Sequence, residues 1–266
     1  MERRPDFYVI GAPKCGTTSL YHVLRQHPDV FMSRRKEPHF FTDPDHLPSS
    51  YDRMGVEAYL ELFSNAPSDA VAGEASVTYL YSVDAARRIH EFTLDARFVA
   101  PLRNPVDRAY SEYWNSRRAG METLSFDAAI DAEQERGAWL HYVRKGFYAR
   151  LLTPYVRAFG RDAIHICLFD DLRTDARSYY AAIFRFLGVD PSAEVDVSTV
   201  HNVGGAPRWP SAGPLHAMLR RTGRRPKALA RALLPGGLVR LMRRGVYGSL
   251  INRDVPPMDP ATRRRL

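Results

Sequence analysis

The chain has 266 residues, 45% of them apolar and 26% charged, with a formal net charge of +8. That composition excludes a disordered, collagenous or disulfide-stapled chain, and no run reaches the roughly 18 consecutive apolar residues needed to span a bilayer. Two cysteines, Cys15 and Cys167, stand far apart without metal-ligand spacing, so neither a structural disulfide nor a metal site is expected.

The opening residues MERRPDFYVIG pass from charge into a short apolar run with no secretory h-region, and a cytoplasmic protein is expected. The positive charge is localised. From Ala212 to Arg253 there are ten Lys/Arg and no Asp or Glu, so subtracting +10 from the total of +8 leaves −2 for the rest. No Gly/Ser/Pro-rich linker separates two cores, which predicts a single domain over 1–266 with a basic helical insertion at about 212–253.

Taken in chain order, short apolar runs alternate with segments of helical period. The runs are Phe7 to Ile10, Val30 to Met32, Val71 to Gly73, Phe98 to Leu102 and Ile164 to Phe169. Alternation of this kind predicts an α/β fold of three layers, with helices on both faces of a central, mainly parallel sheet. Thr17 to His27 places Leu20, Val23 and Leu24 on one helical face. Asn104 followed by Pro105 is an N-cap signal for a helix through Tyr113. Asp175 caps a further helix with Tyr179, Ile183, Phe184 and Leu187 on its apolar face, stopped at Gly188. Asp259-Pro260 repeats the start signal six residues before the last residue, for a terminal turn or a helix cut short.

The first run enters Gly11-Ala-Pro-Lys14-Cys15-Gly16-Thr17-Thr18-Ser19-Leu20 and then a helix. A strand, a glycine turn and a helix N-terminus aim backbone N–H groups and a positive dipole end at one point, a ready site for a phosphate-like anion. Lys14 and the hydroxyls of Thr17, Thr18 and Ser19 add charge and donors. The loop departs from Walker A, which ends Gly-Lys-Ser/Thr, because Lys14 precedes Gly16 and Thr17 stands where the Walker lysine would. The strand ending at Leu102 is followed by Arg103, where a Walker B strand would supply a magnesium-binding Asp. A nucleotide other than Mg-ATP is expected.

These residues resemble the sulfotransferases that use 3′-phosphoadenosine 5′-phosphosulfate (PAPS, product PAP), particularly the bacterial and heparan-sulfate-type branch. Residues 11–20 are similar to that family's 5′-phosphosulfate loop. Leu102-Arg-Asn-Pro-Val-Asp-Arg-Ala-Tyr-Ser-Glu-Tyr113 resembles its 3′-phosphate motif, which implies phosphate contacts for Arg103 and Ser111. Lys36-Glu-Pro-His-Phe-Phe41, Gly73-Glu-Ala-Ser-Val-Thr-Tyr79, Lys145-Gly-Phe-Tyr148 and His201-Asn-Val-Gly-Gly-Ala-Pro-Arg208 resemble further segments in the family's order.

The resemblance implies sulfuryl transfer from PAPS to a hydroxyl, less readily an amine, of a small-molecule or glycan acceptor. Cys15 and Gly16 join Lys14, Thr17, Thr18 and Ser19 in binding the donor, with Lys14 on the bridging oxygen, where a preorganised cation acts as charge develops. Glu37 takes the place of the catalytic base, its apolar neighbours raising its pKa, and Glu74 and then His39 follow as alternatives. Tyr148 is placed to help hold adenosine, and Arg208 sits in the loop that closes on the 3′-phosphate. Arg108 reads as a surface charge of a helix start. Heparan-type members often carry a lysine where this chain has Ala75, which favours a small hydroxylated acceptor. The basic segment would border the acceptor entrance and draw in an anionic acceptor, a carrier or a membrane surface, against the plainer reading of solvated charges. A kinase on the same fold and a basic polyanion-binding module are the rival functions.

Overall fold

The computed structural model describes residues 2–47, 51, 53–199, 206–207, 251–252 and 255–266. Gly204, Gly205, Arg208 and nearly all of the basic segment 212–253 lie outside the described residues.

Strands β1 (Phe7–Val9), β2 (Val30–Met32), β3 (Val71–Ala75), β4 (Arg97–Leu102) and β5 (Ile164–Leu168) form a parallel sheet in the order β2-β3-β1-β4-β5. Their side chains alternate between two buried layers, as the two-residue period requires. Tyr8, Ala72, Phe98, Ala100 and Ile164 belong to one core, while Phe7, Val9, Val30, Met32 and Val99 belong to the other. A sheet covered on both faces explains why the strands are continuous apolar runs.

The helices are α1 (Thr17–Leu24), α2 (Val56–Leu60), α3 (Ala85–Phe92), α4 (Pro105–Arg118), α5 (Phe126–Asp131), α6 (Tyr148–Phe159), α7 (Phe169–Thr174), α8 (Ala176–Leu187) and α9 (Pro260–Arg265), of which α1, α3, α6 and α8 bring buried apolar residues to the two faces of the sheet. α1 stops three residues before the expected end at His27, because Pro28 disfavours helical geometry at the residue before it. The Asn104 carboxamide accepts the Val106 and Asp107 N–H groups, and α4 runs past Tyr113 to Arg118. Asp175 caps the Ser178 N–H, and Gly188, in the left-handed region at φ 81°, ends α8. Asp259 accepts the Ala261 and Thr262 N–H groups at the start of α9.

Tertiary contacts divide the chain into two compact units, Met1–Arg108 with Gly137–Asn202, and Ala109–Arg136 with Val203–Leu266. The first contains the five-stranded sheet. In the second, Thr262 donates to Asp127, Arg265 pairs with Asp131, and the two-residue strands β6 (Ala206–Pro207) and β7 (Ile251–Asn252) pair antiparallel.

Gly73 lies where β3 crosses the Phe7 ring, and a Cβ there would sit 2.3 Å from ring carbons that are wholly buried. Gly73→Ala should therefore destabilise the protein by about 1–3 kcal/mol through overpacking. Chemical denaturation checks this; an unchanged midpoint would mean that the Phe7 ring has room to move.

Candidate active site

The site is assembled at the carboxyl ends of β1, β3, β4 and β5, the edge where open α/β sheets bind ligands and where the strand order changes direction. Beyond β1, the Ile10 N–H donates to the Val99 carbonyl at 3.1 Å and the Ala12 N–H to the Pro101 carbonyl at 2.7 Å, so the chain follows β4 before it turns. Two glycines shape the turn. Gly11 has φ 122°, and a Cβ there would lie 2.8 Å from the Val77 carbonyl oxygen; Gly16 has φ 80°, and its Cβ would lie 3.3 Å from the Phe169 ring. Lys14 adopts φ 68°, uncommon for a side chain of its size.

Gly16 opens α1 without a side-chain cap, and the first turn holds no acidic residue. This end of the helix carries the positive end of its dipole. Thr17 and Cys15 are buried, while Lys14 is part-exposed.

The other wall follows β4. The Arg103 guanidinium lies 5.0 Å from the centre of the Phe169 ring, the ring that also crowds Gly16. Phe169 thus joins the phosphate loop to Arg103. The Tyr148 hydroxyl donates to the Arg103 carbonyl at 2.8 Å, and burial pushes its pKa up. Tyr148 is an anchor for the end of β4, and Phe147 beside it is exposed. Ser111 lies on α4 in the second unit.

Glu37 sits in the loop after β2, where its N–H donates to the Ala75 carbonyl at 2.9 Å and its carboxylate accepts the Val77 N–H at 2.9 Å. Lys36 pairs with the same carboxylate, and the His39 Nδ1 is 3.7 Å away. The expected apolar surroundings are thus replaced by polar ones, because the loop folds back onto the turn after β3 and meets its backbone. Glu37 and His39 hold φ 59° and 56°. Burial lowers the pKa of the His39 imidazole, and its Nδ1 is 2.8 Å from the Thr78 hydroxyl.

Glu74 on β3 has no exposed surface. Tyr59 and Tyr79 donate to its Oε1 at 2.8 and 2.6 Å, and Ser76 donates to its Oε2 at 2.8 Å. Burial raises its pKa to about 7 against the opposing pull of those three hydroxyls. Glu74 is thus enclosed, whereas the Glu37 side chain keeps partial exposure.

Arg108 is fully buried and donates to the Tyr142 carbonyl, correcting the expectation of a surface charge. The segment preceding α6 covers it: Gly146 lacks the Cβ that would lie 2.8 Å from Pro105, so this segment closes on the first turn of α4. Lys145 in the same segment is buried, its ammonium donating to the Trp139 carbonyl at 3.0 Å and lying 4.5 Å from the Tyr81 ring centre. Ala75 is buried in the second core, so its methyl does not line an acceptor surface. Three contributors escaped the sequence reading: Phe169, the Val77 N–H and the hydroxyls around Glu74. Of these, Phe169 was signalled by its place directly after a parallel strand.

Among the described residues no helix is long and apolar enough to cross a membrane. A family model described as a sulfotransferase domain matches residues 4–203. Carbohydrate sulfotransferase 15 of Mus musculus is 28% identical over 253 residues, a match covering 71% of this chain and 45% of that protein. Heparan sulfate glucosamine 3-O-sulfotransferase 6 of Mus musculus is 31% identical over 192 residues, covering 70% of this chain and 53% of that one. The chain thus spans about half the length of these curated relatives. Among solved structures, a sulfotransferase from Alicyclobacillus acidocaldarius superposes with a TM-score of 0.68 at 33% identity, covering 85% of this chain and 96% of that one. With a parallel sheet that carries a glycine turn and a helix N-terminus at its carboxyl edge, and a family match over three-quarters of its length, the chain belongs to the sulfotransferase domain family, whose members draw on PAPS.

Proposed function

We propose that the chain transfers the sulfuryl group of PAPS to a hydroxyl of a carbohydrate acceptor, with Lys14 and Glu37 in the two chemical roles. The observation that carries this reading is the convergence on Val77: its carbonyl packs against Gly11 of the anion loop, and its N–H holds the Glu37 carboxylate. One residue therefore contacts both the glycine turn and the Glu37 carboxylate, which supports a shared site for the two roles. The carbohydrate class is supported by the relatives named above, while the lysine often carried by heparan-type members is replaced here by the buried Ala75.

The residues present fit the donor. Gly11 and Gly16 let the loop pack against the Val77 carbonyl and the Phe169 ring, where a Cβ would clash, at a helix end that favours anions. Lys14, Cys15, Gly16, Thr17, Thr18 and Ser19 would hold the 5′-phosphosulfate and Arg103 the 3′-phosphate, a role that the family resemblance also gives to Ser111 and to Arg208, which lies outside the described residues. When bound, PAPS supplies a sulfuryl group activated by a phosphate leaving group. Lys14 neutralises charge that builds on the leaving oxygen, as in loose in-line transfer. Glu37 takes the proton of the acceptor hydroxyl as its oxygen bonds to sulfur.

A thermal-shift comparison of PAP, ADP and ATP, followed by radiolabelled PAPS transfer to a panel of glycans and small phenols, tests the reading. Stabilisation by PAP above both other nucleotides, with label on a glycan, is expected; stronger stabilisation by Mg-ATP would make the protein a kinase. Loss of a charge-assisted contact predicts that Arg103→Ala weakens PAP by about tenfold or more. Adenosine 5′-phosphosulfate, which lacks the 3′-phosphate, should be nearly unaffected. Equal weakening of both, measured by calorimetry, would place Arg103 away from the 3′-phosphate.

A further inference from the structure

The loop that carries Glu37 is held in an unfavourable shape. Glu37 and His39 both occupy the left-handed region, a strained shape that surrounding contacts must offset. Two of those contacts come from the loop's own backbone. The His39 N–H donates to the Ser76 hydroxyl oxygen at 3.1 Å, and the Phe41 N–H to the Tyr79 hydroxyl oxygen at 3.4 Å. A hydroxyl accepts in a fixed direction only when its own proton is committed elsewhere. Both protons go to the same place: Ser76 donates to Oε2 of Glu74 and Tyr79 to Oε1.

We propose that Glu74 is a positioning residue for the reaction, its buried carboxylate orienting the Ser76 and Tyr79 hydroxyls so that their oxygens hold the backbone of the Glu37 loop. An ionised carboxylate offers acceptors alone, so it draws in the hydroxyl protons without competing for the oxygens' lone pairs. Tyr59 supplies a third donor and seals the group from water. Glu74 thereby acts on the acceptor's proton only through the shape of the loop. The proposal rests on the reading of Glu37 as the base.

Amide exchange measured residue by residue by NMR is the test, with PAP bound so that the donor loop is occupied in every variant. Glu74→Gln puts an N–H donor among these hydroxyls, and exchange at both His39 and Phe41 should quicken by about tenfold or more while the amides of β1 and β4 keep their protection. Ser76→Ala should free His39 alone and Tyr79→Phe should free Phe41 alone; these two variants carry the test if Glu74→Gln does not fold. With desulfated chondroitin as probe acceptor, kcat should fall about tenfold in Glu74→Gln with the KM for PAPS unchanged. Unchanged exchange at His39 and Phe41, or loss of protection throughout the sheet, overturns the proposal. So does a Glu74→Gln variant that is inactive while Ser76→Ala and Tyr79→Phe are fully active, since Glu74 would then be the base. The expected exchange pattern together with full activity of Glu37→Gln upholds the loop anchor and removes the base reading alone.

Discussion

Lys14→Ala should lower turnover by about 10²–10³-fold while PAP still binds, because the contact removed is one that strengthens as the leaving oxygen gains charge. The α1 N-terminus and the loop glycines remain in the variant, so ground-state anion binding keeps most of its donors. Lys14→Met, which retains more of the side-chain volume, should behave alike and separate charge from packing. Single-turnover rates with radiolabelled PAPS, set beside calorimetric PAP affinities, decide the matter. Near-normal turnover in both variants would take Lys14 out of the chemistry; parallel losses in rate and PAP affinity would make it a binding residue.

Glu37→Gln should cost about 10²-fold or more in turnover, the contribution of a positioned general base. A carboxamide still accepts the Val77 N–H, and the bond from the Glu37 N–H to the Ala75 carbonyl is unaffected, so the loop keeps its shape. What is lost is the ability to take a proton. PAP affinity should stay within about twofold of the wild type, since a base acts on the acceptor and not on the nucleotide. An active Glu37→Gln beside an inactive Glu74→Gln would exchange the roles assigned to the two carboxylates.

The sheet was legible in the sequence because the inner strands are buried on both faces and therefore read as apolar runs, and because helix ends carry local signals. Asn104, Asp175, Gly188 and Asp259 act on backbone groups within a few residues of themselves, so their effect is independent of the rest of the fold. The anion loop was legible for the same reason: glycine turn, lysine and helix start are contiguous from Gly11 to Ser19. The family resemblance rested on such contiguous stretches as well.

What only the tertiary structure decided concerns residues distant in the chain. Arg108 was read as a surface charge, and the segment before α6 buries it. Glu37 was put first and Glu74 second as candidate base, and the difference in their surroundings comes from neighbours no local pattern announces. Glu37 keeps partial exposure because its loop folds onto the turn after β3. Glu74 is closed in by Tyr59 from one side and by Tyr79 and Ser76 from the other. Sequence alone located the five strands, the glycine turn before α1 and the starts of α1, α4, α8 and α9, since short-range sterics and hydrogen bonds set these. Which charged groups meet solvent and which are enclosed was decided by the folded chain, because burial depends on what distant segments bring to the same point.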